Sequence, residues 1–309
     1  MTTTTGPAFP AVDVRGLTCR YGAFTAVDDV SFAVHPGELF ALLGTNGAGK
    51  TTTVETALGL RRPAAGTVAV LDRDPARHRR DLARRVAAIG QETGFAEGLT
   101  VAETLRLWTD LHRLPPRPAA LDRVDLAHRA DLRVGDLSGG ERRRLDLALA
   151  AATEPEVLFA DEPTPGLDPA SRRRTWDLLR DLTAAGTAVV LTTHYLDEAA
   201  ELADHVAIMD RGRIVRFGTV AEVTAAHEAR ITMRPEPFDP LDLPPLEGRT
   251  AIDGDTLTVR TTALQADLHR LLDWAARTGV DLGDLKAGPA TLDEVFAELE
   301  SARTERTRA

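Results

Sequence analysis

Lysine is almost missing from this chain. Of its 309 residues only Lys50 and Lys286 are lysines, and arginine carries nearly all the remaining positive charge. Cysteine is scarcer still: Cys19 stands alone, so no intrachain disulfide can form, which suits a reducing compartment and leaves Cys19 as a packing residue. No apolar run approaches the roughly 18 residues that a membrane span needs. The opening Met-Thr-Thr-Thr-Thr-Gly-Pro lacks both the basic start and the apolar core of a signal peptide. A formal net charge of -10 argues against a nucleic-acid partner, since neutralising phosphates calls for a basic patch. The expectation is a soluble chain with any membrane role supplied by a partner, long enough for one large α/β domain and a smaller one.

Against that scarcity, the position of Lys50 is informative. Gly44-Thr45-Asn46-Gly47-Ala48-Gly49-Lys50-Thr51-Thr52 fits glycine, four residues, then Gly-Lys-Thr. Leu39 to Leu43 before it is a short apolar run suited to a buried parallel strand, and Thr51 to Leu60 after it can be a helix. Glycines there let successive backbone N–H groups and a helix N-terminus face one anion. Lys50 adds a point charge for the β- and γ-phosphates, and the Thr51 hydroxyl is placed to ligate Mg²⁺. A planar guanidinium cannot replace that point charge in a tight cradle, which explains a lysine in an arginine-dominated chain. ATP or GTP binding follows.

Taken in order, Ala11 to Thr18 and Ser31 to Val34 read as strands, with Asp28-Asp29 and His35-Pro36-Gly37 as turns and Tyr21 between the strands. Thr67 to Leu71 is a strand, Arg77 to Arg85 a helix, and Val86 to Gly90 an apolar run ending at Gln91-Glu92. Thr100-Val101-Ala102-Glu103 is a capping box, with Val101, Leu105, Trp108 and Leu111 on one helix face and Pro115, Pro116 and Pro118 as the stop. Leu137-Ser138-Gly139-Gly140-Glu141 then opens a strong helix over Arg142 to Ala152, a second place where N–H groups can meet an anion. Arg142 to Arg144 reads as a solvated face of that helix. Val157 to Ala160 is a strand that ends at Asp161-Glu162, where α/β sheets place their ligands. Asp168-Pro169 caps a helix running to Gly186, Thr187 to Thr193 is a strand, and His194 follows it. A helix over Tyr195 to Ala203 and a hairpin through Asp210-Arg211-Gly212 complete the region.

Beyond about residue 219 the composition changes. Five prolines between Pro235 and Pro245 indicate a linker or long loop. Asp253-Gly254-Asp255 signals a hairpin. Leu264, Leu268, Leu271, Leu272 and Ala275 share one helix face, Val280 to Leu285 reads as a strand, and Asp293 to Glu300 as a final helix. The expected limits are a disordered tail at 1–10, a nucleotide-binding domain at 11–220, a small α+β domain at 221–300 without a catalytic constellation, and a second tail at 301–309.

Together the motifs between residues 11 and 220 resemble the nucleotide-binding subunit of ATP-binding cassette (ABC) transporters. The resemblance implies a P-loop NTPase fold of the ABC ATPase type, a mixed-sheet core with a helical subdomain over about 92–137. In that family Tyr21 stacks on adenine, residues Gly44 to Thr52 hold the phosphates, and Gln91 contacts Mg²⁺ and senses the membrane partner. Asp161 holds the Mg²⁺ shell together with Thr51, Glu162 polarises the attacking water, and His194 reaches the γ-phosphate. Leu137 to Glu141 resemble the family signature Leu-Ser-Gly-Gly-Gln, with Glu141 in place of Gln, and the resemblance implies that Ser138, Gly139, Gly140 and Glu141 act on the other subunit's ATP. Gly166, Leu167 and Asp168 resemble the loop that crosses the dimer interface, with Pro165 where Ser or Thr is usual. The implied unit is a head-to-tail homodimer binding ATP and Mg²⁺, peripheral on the cytoplasmic face of the cell membrane and energising a separate transmembrane permease.

Thr291-Leu292-Asp293-Glu294-Val295-Phe296 and Arg143-Arg144-Leu145-Asp146-Leu147-Ala148 resemble the daunorubicin-resistance-type exporters of drugs, lipids or polysaccharides. Two alternatives stay open at this point. One is a non-transport ABC ATPase of DNA repair or translation, against which stand the single set of motifs, the lone cysteine and the acidic charge. The other is an importer subunit.

Overall fold

The computed structural model describes residues 9–90, 94–225, 227–236, 239, 242–297 and 299. The tails expected at 1–10 and 301–309 lie outside the described residues apart from Phe9 and Pro10, and so does Gln91. The chain divides into two compact units, Met1–Thr219 and Val220–Ala309.

The first unit begins with β1 (Val12–Tyr21) and β2 (Phe24–Val34), paired antiparallel. The chain reverses at Gly22-Ala23. Asp28-Asp29, expected as a turn, lies inside β2, where the register shifts and Asp29 takes a φ of 56°. The acid pair makes a bulge, which twists a strand without ending it. Next come β3 (Leu39–Gly44), α1 (Lys50–Ala57) and β4 (Ala65–Val70). β4 pairs with the other edge of β1 to close a three-stranded sheet. The helix expected over 77–85 is a single turn, α2 (Arg79–Leu82), before β5 (Val86–Ile89).

α3 (Val101–His112) starts at a Thr100–Glu103 capping box, in which each side chain takes the other's backbone N–H. Val101 and Leu105 of this helix are buried, but Leu111 is 67 % exposed. At 100° per residue Leu111 has drifted about 80° from the Val101 direction, off the buried stripe. A short α4 (Ala119–Asp122) leads toward α5 (Gly139–Ala152), followed by β6 (Val157–Asp161), α6 (Pro169–Ala184), β7 (Ala188–Thr193), α7 (Leu196–Leu202), β8 (His205–Asp210) and β9 (Arg213–Gly218).

The order β5-β6-β7-β3-β8-β9 makes the main sheet, parallel except for β9. Every residue of β3, β6 and β7 is buried, because the sheet is covered on both faces. Alternate side chains serve different cores. Leu158, Ala160, Val189 and Leu191 join Leu105, Leu121, Leu145, Leu149 and Leu179 from the helices. Val157, Phe159, Val190 and Phe40 join the three-stranded sheet and Val54 of α1.

The second unit comprises α8 (Val220–Ala225), β10 (Ala229–Glu236), β11 (Arg249–Asp253), β12 (Thr256–Thr261), α9 (Leu264–Thr278) and β13 (Asp281–Gly288). Its sheet is antiparallel in the order β11-β12-β10-β13. Pro235, expected to begin a linker, is instead in β10 opposite Leu282. β12 pairs with β10 only as far as Met233, so Pro235 sits where one side of the strand is already free, the place a sheet tolerates proline. The core is Ile231, Met233, Leu257, Val259 and Leu271. Residues 292–297 are helical, with Leu292 and Val295 buried.

Candidate nucleotide-binding site

Because β6, β7 and β3 are neighbours in one parallel sheet, their carboxyl ends lie side by side. Asp161-Glu162, Thr193-His194 and Gly44 therefore converge at a single edge, where ligands bind in such sheets. The turn from β3 to α1 depends on glycine. Gly49 has a φ of 109°, and a Cβ there would come 2.6 Å from the Ala26 carbonyl oxygen. Lys50 is only 5 % exposed. Its Nζ donates to the Gly44 carbonyl at 2.7 Å and lies 3.9 Å from Glu162 Oε1. Burial lowers the Lys50 pKa, opposed by the Glu162 and Asp161 carboxylates. His194 Nδ1 is 3.2 Å from the same Glu162 oxygen. The Thr192 hydroxyl donates to Asp161.

Lys50 and Glu162 border a cleft of about 460 Å³, lined also by Tyr21, Phe24, Ala26 and the rest of residues 46–52. The Tyr21 hydroxyl is 3.3 Å from Thr52 Oγ1, and the Arg61 guanidinium lies over the Tyr21 ring at 4.1 Å from its centre, a cation–π contact. A second crevice of about 510 Å³ around Arg61, Arg62 and Pro75 contains none of the acidic groups at the strand ends. Phe24, Arg61 and Thr192 were not singled out in the sequence. An exposed aromatic, one arginine among many and a strand threonine carry no local signal.

Ser138 and Glu141 form the N-terminal cap of α5 reciprocally. Glu141 Oε2 accepts from both the Ser138 backbone N–H and its hydroxyl, each at 2.9 Å. The Ser138 N–H holds the Glu141 carboxyl below its usual range, with Arg129 adding to the effect. Ser138 to Glu141 and Gly166 to Asp168 do not line the cleft around Lys50. They adjoin one another: a Cβ on Gly140 would be 3.6 Å from the Leu167 side chain. Asp168 caps α6 through the N–H groups of Ala170 and Ser171 at 2.9 and 3.0 Å.

The arginines expected as a solvated face of α5 are not one. Arg142 donates to the Gly135 carbonyl at 2.8 Å, and Arg144 to those of Val124 and Asp125 at 3.0 Å. Arg143 is 7 % exposed and points at the end of β6. Charge made the triplet look solvated. Backbone carbonyls of chain segments packed around the helix draw it inward.

Among the described residues there is no group of three or more His, Cys, Asp or Glu able to hold a metal. Thr51 and Asp161 are hard oxygen donors, few in number: Thr51 lines the cleft and the Asp161 carboxylate is near enough to act on Lys50. That set fits Mg²⁺, which binds through one or two protein oxygens plus the phosphates of a nucleotide.

Comparison with known proteins identifies the family. The "ABC transporter" family model matches residues 27–165, and the model for the C-terminal domain of ABC transporter domain-containing-like proteins matches residues 229–291. The daunorubicin resistance ATP-binding protein DrrA3 of Streptomyces coeruleorubidus is 38 % identical over 94 % of this chain and 95 % of its own. The Nod factor export ATP-binding protein I of Ralstonia nicotianae is 36 % identical, covering 94 % of each chain. A solved ATP-binding subunit of an ABC transporter superposes with a TM-score of 0.66 at 29 % identity, over 70 % of this chain and 92 % of that one.

Proposed function

The chain belongs to the ATP-binding subunits of ABC transporters, and from that premise we propose that it hydrolyses ATP to drive export through a separate transmembrane permease. The observation that carries the catalytic assignment is the meeting of Lys50, Asp161, Glu162 and His194 at adjacent strand ends. Phosphoryl transfer asks a protein mainly for positioning and charge neutralisation. Lys50 and the loop N–H groups take the β- and γ-phosphates. Thr51 and Asp161, with Gln91, would hold Mg²⁺, which would supply positive charge against the charge developing on the phosphate oxygens. Tyr21 stacks on the adenine.

Glu162 accepts the proton of the attacking water, and His194, 3.2 Å from it, reaches toward the γ-phosphate. The signature at Ser138 to Glu141 stands away from its own chain's cleft, which favours a head-to-tail homodimer in which it closes on the partner's ATP. Gly166, Leu167 and Asp168 line that interface.

Export is favoured over import by the relatives, named for daunorubicin resistance and Nod factor export. The same reading gives the route across the membrane to a partner and places this chain peripherally on the cytoplasmic face; no helix among the described residues is long and apolar enough to cross a membrane.

Glu162→Gln tests the chemistry. It is nearly isosteric and cannot take the proton, so ATP binding is retained while hydrolysis slows by about 10²-fold or more. With ATP the variant accumulates as a dimer, measured by size exclusion with light scattering, and adding Ser138→Arg abolishes that dimer. Wild-type hydrolysis by Glu162→Gln would remove Glu162 from the mechanism.

A further inference from the structure

Glu162 is held in an unfavourable backbone conformation. Its φ is 49°, in the left-handed region that is disfavoured for a non-glycine residue. The conformation persists only if the surroundings over-determine it. On one side the Glu162 N–H donates to the Thr192 carbonyl at 3.0 Å. On the other side, one guanidinium gathers the carbonyls. Arg143 Nη2 donates to the Asp161 oxygen at 2.9 Å and to the Glu162 oxygen, and Nε donates to the Pro163 oxygen at 2.9 Å. Nη1 reaches the Gly90 carbonyl, immediately before Gln91.

Burying this arginine is costly. Among the described residues the one carboxylate within ion-pair range of it, that of Asp146, lies 3.7 Å away. Burial dominates at both ends of that pair, lowering the Arg143 pKa and raising that of Asp146. A desolvated pair of that kind adds little stability, and apolar residues of similar size often serve a core better. Arg143 is spent instead on the carbonyls of three consecutive residues that carry the Mg²⁺ carboxylate and the general base. Its helix opens at Ser138, the end that meets the partner's nucleotide.

We propose that Arg143 is a positioning residue that couples the Ser138 end of α5 to the backbone of Asp161-Glu162-Pro163 and to Gly90. Engagement of the signature by the partner's ATP then sets the placement of the Glu162 carboxylate. This rests on the reading of Glu162 as general base. The planar fork is essential, since several donors must act in fixed directions at once. Lysine keeps the charge but not the directions.

The test compares Arg143→Lys, Arg143→Gln, Glu162→Gln and the Arg143→Lys/Glu162→Gln pair in the full-length protein. It reads fluorescent-ATP affinity, kcat, KM and melting temperature. Arg143→Lys is expected to keep affinity and KM while kcat falls by about 10²-fold, the scale of a small misplacement of a catalytic group. In the Glu162→Gln background the same change adds no further loss, because the group that Arg143 positions is already inactive.

A wild-type kcat in Arg143→Lys overturns the inference. So does an undiminished loss in the Glu162→Gln background, or a loss confined to affinity and melting temperature. If Arg143→Gln does not fold, Arg143→Lys decides, and failure of both to fold makes Arg143 a scaffold residue and overturns the coupling. Wild-type hydrolysis by Glu162→Gln overturns the general-base reading itself. A wild-type-like Arg143→Lys beside an inactive Glu162→Gln overturns only the role given to Arg143.

Discussion

Lys50 in the ATP-binding unit and Asp267 in the C-terminal unit are both buried charges, and their surroundings differ. Burial lowers the Lys50 pKa and the nearby carboxylates do not outweigh it, so the folded protein disfavours its charge. Burial pushes the Asp267 carboxyl up as well. There, bonds from Thr261, the N–H groups of Glu247 and Gly248, and Arg270 win, and hold it below its usual range. Those two N–H groups are each 2.9 Å away and the guanidinium 3.0 Å. Asp267 is electrostatically complete within its own unit, as a scaffold charge should be. Lys50 would gain from a further anion, as the phosphate ligand proposed above should. Whether the protein itself satisfies a buried charge separates the two roles better than burial does.

The largest effect expected from this contrast is at Lys50. Lys50→Arg keeps the charge but cannot fit the seat on the Gly44 carbonyl, and ATP hydrolysis should fall by at least about 10²-fold with the melting temperature little changed. Hydrolysis near the wild-type rate would break the contrast.

Asp267→Asn should do the opposite, costing about 2 kcal/mol of C-terminal unit stability and leaving ATP affinity unaltered. Hydrogen exchange in β10 and β12 and nucleotide titration measure the two halves. The sign of the pH dependence follows from the depressed folded pKa. The advantage of the wild type is full above the unfolded carboxyl pKa, near 4, and fades as pH falls through the lower folded value.

The smallest effect concerns Asp146, whose carboxyl is pushed up by burial to about 6, against the attraction of Arg143. The folded state holds this proton where the unfolded state does not, so the charged form costs stability above pH 6. Between pH 7.5 and pH 5 the wild type should gain roughly 1 kcal/mol relative to Asp146→Asn, visible as converging melting temperatures. Parallel curves would place Asp146 with the completed charges.

Much of the site was visible along the chain. The phosphate loop, the Thr100 and Ser138 caps and the acids closing β6 are contiguous patterns, each created by neighbours a few residues apart. Arg143 was not visible. Its partners Asp161, Glu162 and Pro163 lie 18 to 20 residues away and Gly90 lies 53 away. Only the packing of α5 beneath the sheet brings them within reach. Thr192 meets Asp161 across adjacent strands, and Arg61 meets Tyr21 through the turn after α1. The bulge at Asp28-Asp29 misled for a related reason. Acidic pairs favour turns locally, yet ladder pairing with β1 carried the strand through.

The amino-acid order by itself determined which residue types stand at the strand ends and helix caps, because glycine freedom, lysine's point charge and capping chemistry act over a few residues. The tertiary structure decided which of those ends meet, which arginine is buried and which buried charge is satisfied, because burial and distance depend on segments that only folding brings together.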